Sequence, residues 1–336
     1  MKILLTGHTG FKGSWMTLLL NELGFRVDGY SIDIPKSGLY EKGEIAKYVT
    51  SEEFGDVRNL EQLTSFFHKS QPDIAIHFAA QPLVLKSYAD PVGTFTTNVD
   101  GTLNFLRAGT GTESCRKLLV ITTDKVYRNT GASAYREEDS LGGFEPYSAS
   151  KAMADILTQS WSNINPDREI LIARAGNVIG SFDVSENRLL PDIIRSLESG
   201  LDVAIRNPDS VRPWQHVLDC LGGYVTYINK FERGLVPKIL NFGPAPHDFH
   251  TVQDIVEISK SVFPSVNVTY PAEVGPKETP FLALDSSLAS KTLGWRNVFN
   301  LRETVELALK QSESPVQLAK GQIETYLSKA DFLSKL

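Results

Sequence analysis

Short apolar runs alternate with longer amphipathic segments through the first half of the chain. The runs Lys2–Thr6, Arg26–Ser31, Asp73–Phe78, Lys117–Thr122 and Glu169–Ala173 are built around aliphatic residues, which predicts strands buried in a sheet. Between them, apolar positions recur at helical spacing near Phe11–Leu23, Leu60–Lys69, Pro91–Ala108 and Tyr147–Asn163. This alternation predicts an α/β fold, a Rossmann-type doubly wound parallel sheet with helices on both faces. Right-handed crossovers then gather the carboxyl ends of the strands along one edge, where ligands bind in such sheets.

Past Gly176 the pattern changes. Loops rich in Pro, Asn and Asp separate shorter elements, with helices predicted over Pro191–Ser199, Gln215–Lys230 and Val252–Val262. The reading is a dinucleotide-binding domain over 1–176 and a smaller, mixed α/β substrate lobe over 177–336. The boundary is expected to be discontinuous, with a return to the sheet near 215–245, around Asn241-Phe242-Gly243. Ser314–Leu336 reads as a polar, amphipathic tail helix that either packs on the body or serves a dimer.

Composition narrows the classes. The formal net charge of −6 over 336 residues leaves no basic excess for general nucleic-acid binding. Cys115 and Cys220 lie far apart without metal-ligand spacing and read as buried reduced thiols, which suits a reducing cytoplasm. The chain enters an apolar strand at Ile3-Leu4-Leu5 without a signal peptide's long apolar segment, and no stretch approaches a membrane span. A cytoplasmic location is therefore expected.

The first strand runs directly into Gly7-His8-Thr9-Gly10-Phe11-Lys12-Gly13. Gly7 permits a tight turn, Gly10 lets a pyrophosphate approach the backbone, and Gly13 lets helix and strand pack closely. The exposed N–H groups and positive helix end suit a diphosphate, with Thr9, Phe11 and Lys12 in the same loop. A plain strand-to-helix turn is the other reading. Asp33, after the second strand, suits the adenosine ribose hydroxyls and repels a 2′-phosphate, which favours NAD; a solvated loop acid is the alternative. Asp56-Val57 sits where a third strand ends and can flank the adenine, or be a loop acid beside a buried valine. Ala79-Ala80-Gln81 closes the next strand, and its small residues let a cofactor lie against the backbone, though tight helix packing also selects alanine.

The chemistry concentrates after the strand Lys117–Thr122. Thr122, Thr123, Asp124 and Lys125 close that strand, and Tyr147 and Lys151 stand one helical turn apart downstream. A phenol is a poor base at neutral pH, but a neighbouring ammonium and a cationic nicotinamide both favour phenolate. Tyr147 can then take a hydroxyl proton while the nicotinamide takes hydride, and Lys151 can hydrogen-bond the nicotinamide ribose. Thr123 would bridge the sugar hydroxyl and Tyr147, or simply cap the strand end. Asp124 and Lys125 discriminate between reactions. A 4-epimerase or 4-reductase needs no acid–amine pair beside its tyrosine, whereas a 4,6-dehydratase does. With C4 oxidised, Lys125 removes the C5 proton if burial or nearby cations lower its pKa, and Asp124 protonates the departing C6 hydroxyl. The bland alternatives are a surface Asp-Lys turn and a surface helical pair, and the non-enzyme reading is a dinucleotide sensor that binds a partner protein.

Together these residues resemble the extended short-chain dehydrogenase/reductase family, and within it the nucleotide-sugar 4,6-dehydratases. The resemblance is carried by TGHTGFKGSW (Thr6–Trp15), HFAAQPLV (His77–Val84), Asn98 within TNVDGT, TTDKVY (Thr122–Tyr127), YSASK, RAGNVIG (Arg174–Gly180), RLLPDIIR (Arg188–Arg195) and RPWQHVLD (Arg212–Asp219). It implies bound NAD regenerated in every turnover, cofactor contacts from Gln81 and Asn98, a homodimer joined through helices, and a nucleoside-diphosphate hexose held by the second lobe. The dTDP-glucose relatives carry glutamate where Lys125 stands, so the resemblance favours the CDP-sugar branch, with CDP-glucose as substrate. Two departures are visible. A glycine-rich GGGDW-like stretch reads Gly180-Ser181-Phe182-Asp183-Val184 here, and a His-Glu-Ala-like element reads Lys277-Glu278-Thr279.

Arginines cluster in the second lobe, and guanidinium groups suit a diphosphate through paired planar hydrogen bonds. Arg188 and Arg212 are the expected substrate contacts, with Leu189, Trp214, Asn177, Gln81 and Thr123 around them. Arg195 and Arg206 fit surface ion pairs equally well, and Asn177 fits a turn. His216 and Asp219 read as structural. His247, Asp248 and His250 lack a third strong ligand, so no metal is expected.

Overall fold

The computed structural model describes residues 1–131, 133–245, 248–271 and 279–333. Strands β1 (Lys2–Thr6), β2 (Arg26–Ser31), β3 (Ser51–Phe54), β4 (Ile74–His77), β5 (Lys117–Thr123), β6 (Glu169–Ala175) and β7 (Ile239–Phe242) form one parallel sheet. Their order is β3-β2-β1-β4-β5-β6-β7. The chain winds one way from β1 to β3 and the other way from β4 onward. The crevice between β1 and β4 is therefore the point where a ligand can enter at the carboxyl ends. Register places Thr6 opposite His77, and Thr123 opposite Ala175, at that edge.

Alternation along the strands sorts the core onto two faces. Ile3, Leu5, Leu119 and Ile121 pack with helices α1 (Phe11–Glu22), α6 (Val217–Lys230) and α9 (Pro315–Lys329). Leu4, Leu118 and Val120 pack with α2 (Leu60–Ser70) and α3 (Gly101–Gly111), where Phe66, Phe67 and Phe105 fill the layer. Leu157 and Trp161 of helix α4 (Pro146–Ile164) close the same face. The tail helix contributes Ala319, Ile323 and Tyr326 to the first face.

A separate apolar cluster holds the smaller lobe, where α5 (Leu189–Ser199), α7 (Val252–Val262) and α8 (Leu301–Leu309) surround Ile193, Trp214, Ile255 and Val305. Its strands are two-residue pairs: Val178–Ile179 with Gln215–His216, Val203–Ala204 with Val268–Thr269, and Val211–Arg212 with His250–Thr251. After the Gln215–His216 strand the chain returns to the sheet, where α6 packs on it and β7 pairs with β6.

Two expectations need correction. The single helix over Pro91–Ala108 is interrupted, because Pro91–Phe95 and α3 flank a π-helical turn over Thr96–Asp100. That turn carries Asn98, whose side chain is spent on neighbouring segments, a common use of such bulges. The helix predicted from Gln215 begins at Val217, because Gln215–His216 pair as strand and the His216 ring caps the helix by accepting the Leu218 N–H at 3.2 Å. His247, Lys277, Glu278 and the last three residues of the tail lie outside the described residues.

The closest backbone approach fixes the first turn. A Cβ at Gly13 would stand 2.1 Å from the Gly7 carbonyl oxygen, so α1 can meet β1 this closely only without a side chain there. Gly13→Ala should destabilise the protein by about 1–3 kcal/mol, as overpacking does. A melting temperature unchanged from wild type would contradict this account of the packing.

Candidate active site

A cleft of 2220 Å³ runs along the carboxyl ends of β1, β4, β5 and β6 and under the smaller lobe. Pockets for one small ligand span roughly 300–1,000 Å³, so this one has room for two.

At one end the loop after β1 makes the floor. Gly7 adopts φ +75°, and a Cβ there would lie 2.8 Å from the Ala79 nitrogen. The Thr9 hydroxyl donates to the Asp33 carbonyl at 2.6 Å, tying the glycine loop to the end of β2. Gly7, Thr9, Gly10, Phe11, Lys12 and Gly13 line this end together with Asp33, Asp56, Val57, Ala79 and Ala80. The N–H groups of the first turn of α1 lack intrahelical acceptors and open on the same floor. This side-chain-free cradle beside an acid at the end of β2 fits a dinucleotide. Arg58, paired with Asp56 at 2.6 Å, holds that carboxyl below its ordinary range.

Gln81 and Asn98 do not stand on the cleft wall. The Gln81 amide is spent locally, donating to Leu83 O at 3.1 Å and Thr94 Oγ1 at 2.9 Å. Asn98 accepts the Gln81 N–H at 2.8 Å and donates to Ser150 Oγ at 2.9 Å. It splints the loop after β4 to α4 from beneath, and no residue spacing reveals such a role.

Sequence and packing together set the reacting groups. Glu145 caps α4, accepting the N–H groups of Tyr147 at 2.7 Å and Ser148 at 2.9 Å, and Pro146 occupies the first turn. Tyr147 is thereby fixed at the helix start, facing the end of β5. Thr123 accepts the Lys125 N–H at 3.4 Å, capping the short turn Asp124–Val126, and donates its hydroxyl to Asp124 Oδ1 at 2.8 Å. Thr122 turns the other way and donates to Asp155 Oδ2 at 3.0 Å. Thr122, Thr123, Asp124, Lys125, Tyr147 and Lys151 all border the cleft.

Their electrostatics follow from burial. Asp124 is buried, and its Oδ2 has no hydrogen-bond partner among the described residues. Burial raises its pKa, against the pull of Lys125, the Thr123 hydrogen bond, Arg212 and Lys12. Burial likewise pushes the Tyr147 phenol up to about 12, with a Thr123 hydrogen bond and Arg188 acting downward. Lys151 donates to the Ile121 carbonyl at 2.7 Å. Its ammonium is thus engaged with the strand. Burial and then Lys12 lower Lys151 to about 8.

The lobe supplies the opposite wall. Arg188, Leu189, Arg212, Trp214 and Asn177 all line it. Arg188 Nη1 lies 3.3 Å from Asp183 Oδ2, and Arg212 is buried with Nη1 donating to the Val211 and Thr279 carbonyls at 2.8 Å. Trp214 is oriented by its indole N–H on the His250 carbonyl at 3.2 Å. Arg195 pairs with Asp192 on its own helix. His216 and Asp219 serve packing: Asp219 accepts the Val298 N–H at 2.6 Å. Sequence reasoning placed Phe182 only within the Gly180–Val184 loop, and it reaches the cleft wall with φ +66°; it did not single out Tyr127, which also borders the cleft. Tyr127 lay inside the quoted TTDKVY run, whereas nothing in the sequence marked Phe182 as left-handed.

Comparison with known proteins adds four findings. The profile described as "NAD dependent epimerase/dehydratase family" matches residues 3–243. Among curated proteins, CDP-glucose 4,6-dehydratase of Salmonella typhimurium is 37% identical, covering 97% of this chain and 96% of that protein. dTDP-glucose 4,6-dehydratase of Haemophilus influenzae is 26% identical over 94% of this chain and 99% of that one. Among solved structures, UDP-glucose 4-epimerase of Thermotoga maritima superposes with a TM-score of 0.81 at 21% identity, covering 92% of this chain and 97% of that one. It establishes the fold.

Lys151 gives a pH signature. Its pKa falls from 10.5 to about 8 on folding, so the unfolded chain binds more protons across that window and stability rises with pH there. At 1.36 kcal/mol per unit the rise amounts to about 3 kcal/mol. Urea unfolding from pH 7.5 to 10.5 should show wild type gaining on Lys151→Met by that order. Parallel curves for the two proteins would refute the buried-lysine assignment.

Proposed function

The chain belongs to the NAD dependent epimerase/dehydratase family, and we propose from that membership that it is a nucleotide-sugar 4,6-dehydratase acting on CDP-glucose. The carrying observation is the buried Asp124 beside Lys125, at the strand end that also presents Thr123 to Tyr147. An epimerase has no use for that carboxyl–amine pair.

The cofactor is NAD, held by the glycine loop from Gly7 to Gly13, with Asp33 at the adenosine ribose and Lys151 at the nicotinamide ribose. When bound it supplies the hydride acceptor for C4 and the hydride donor for C6. Tyr147, on which Thr123 and Arg188 act against the raising effect of burial, takes the C4 hydroxyl proton, and a bound cationic ring would act in the same direction as those two. The C4 ketone acidifies the C5 proton, which Lys125 removes. Asp124, whose pKa burial raises, gives its proton to the C6 hydroxyl, which leaves as water. Hydride at C6 and a proton at C5 then complete CDP-4-keto-6-deoxyglucose, with no net redox change. Arg188 and Arg212 are the proposed diphosphate contacts, and Trp214, Asn177 and Leu189 line the nucleotide side.

Two finer points carry their own support. Val92, Met153 and Ile156 are exposed apolar residues on Pro91–Phe95 and α4, which pack against each other, and this supports a homodimer joined through these helices. Among the described residues no helix is long and apolar enough to cross a membrane, and both thiols are free and buried, which supports a cytoplasmic location.

Incubation with a panel of nucleotide sugars in deuterium oxide should give a 4-keto-6-deoxy product fastest from the CDP sugar. The C4 hydrogen should appear at C6 and solvent deuterium at C5. Return of that hydrogen to C4 would mark an epimerase instead. Tyr147→Phe should lower kcat by about 10²–10⁴-fold by removing the base for oxidation. Lys125→Ala should spare oxidation and slow elimination, so that NADH absorbance builds up on the enzyme; equal loss of both phases would exclude the assigned role.

A further inference from the structure

Behind the cleft lies a charged pair that the proposed chemistry does not use. Arg174 on β6 and Asp155 on α4 are both almost wholly excluded from solvent. The pair is bidentate, with Arg174 Nε and Nη2 each donating to a carboxylate oxygen at 2.8 Å. Replacing a buried ion pair by apolar side chains of similar volume is often neutral for stability, so packing alone does not call for charge here.

Two of the remaining bonds of the pair end on the segments that carry the proposed reacting groups, and the others join Arg174 Nη1 to the Glu137 carbonyl at 2.9 Å and Gln159 to Asp155 Oδ1 at 2.8 Å. Asp155 Oδ2 also accepts the Thr122 hydroxyl at 3.0 Å, next to Thr123. Asp155 itself stands one helical turn after Lys151, so the carboxylate joins the end of β5 to the catalytic face of α4. On the other side, Arg174 Nη1 donates to the Tyr127 hydroxyl at 2.8 Å. Tyr127 directly follows the turn bearing Asp124 and Lys125, and its hydroxyl donates in turn to Asn241 Oδ1 of β7 at 2.7 Å. One guanidinium–carboxylate unit therefore spans both halves of the catalytic apparatus.

We propose that Arg174 and Asp155 are positioning residues that hold the tyrosine–lysine pair and the aspartate–lysine pair in mutual register. The oxidised sugar must then be presented to the second pair without moving. The inference rests on the dehydratase reading, because only that reaction uses both pairs. Each tie serves a different step. The Thr122–Asp155 bond sets the end of β5 against α4 and bears on oxidation. The Arg174–Tyr127 bond sets the turn after Thr123 and bears on elimination.

Two small variants separate the ties while leaving the ion pair intact. In single-turnover absorbance of the NAD-bound enzyme with CDP-glucose, Tyr127→Phe should slow the elimination phase about tenfold or more and leave oxidation within about twofold, since small misplacements of reacting groups carry such penalties. Thr122→Val should slow oxidation instead, with KM and melting temperature near wild type in both. Arg174→Lys keeps the charge but cannot make all these bonds, and should show both defects. Rates of both phases falling together with melting temperature, or no change in either, would overturn the proposal. Amide exchange over Asp124–Arg128 reads the tie without turnover, and should quicken in Tyr127→Phe but not in α4. Exchange unchanged there also overturns it. A wild-type enzyme forming no 4-keto-6-deoxy sugar would instead count against the dehydratase reading, and so the two failures are distinct.

Discussion

A carboxyl group taken out of water with one hydrogen-bond partner sets the character of this cleft. Among the described residues, Asp124 receives the Thr123 hydroxyl on one oxygen and nothing on the other. Desolvation favours its neutral form, and Lys125, the Thr123 hydrogen bond, Arg212 and Lys12 oppose that preference. Burial therefore shifts the carboxyl towards the protonated form that an acid needs. That shift is opposed by Lys125 from the turn, Arg212 from the lobe and Lys12 from the first loop. A change in the relative placement of sheet and lobe would alter it, and so the chemistry depends on an arrangement that spans most of the chain.

Parallel topology makes the convergence possible. Winding in two directions from β1 brings the glycine loop, Ala79 and the end of β5 to one edge, and the capped start of α4 then lays Tyr147 over it. The phenol is not prepared by the protein alone. Burial pushes it to about 12, and the lysine four residues on is tied to the Ile121 carbonyl. In the proposed reaction a bound cationic nicotinamide would lower the phenol further.

The strand and helix segments of the first half were legible because each sits inside a periodic run between turn residues. β1 and β2 match their predicted bounds, and β5 extends only one residue further. The π-turn at Thr96–Asp100 was not legible, since it is stabilised by what Asn98 reaches and not by local propensity. The same holds for Gln81, whose place after a small-residue pair looked like a ligand contact, while its amide closes its own loop.

By itself, the sequence determined the alternation of strand and helix, the side-chain-free loop after β1, and the identity of the residues at the end of β5 and the start of α4. These are local facts, set by periodicity, glycine's lack of a Cβ and the spacing of one helical turn. Only the tertiary structure decided that Thr122 serves Asp155, that Lys151 faces the Ile121 carbonyl, and that Arg174 bonds both Asp155 and Tyr127. Such partners are not neighbours in the chain, and their meeting depends on sheet order and on desolvation, neither of which is written in any short stretch of chain.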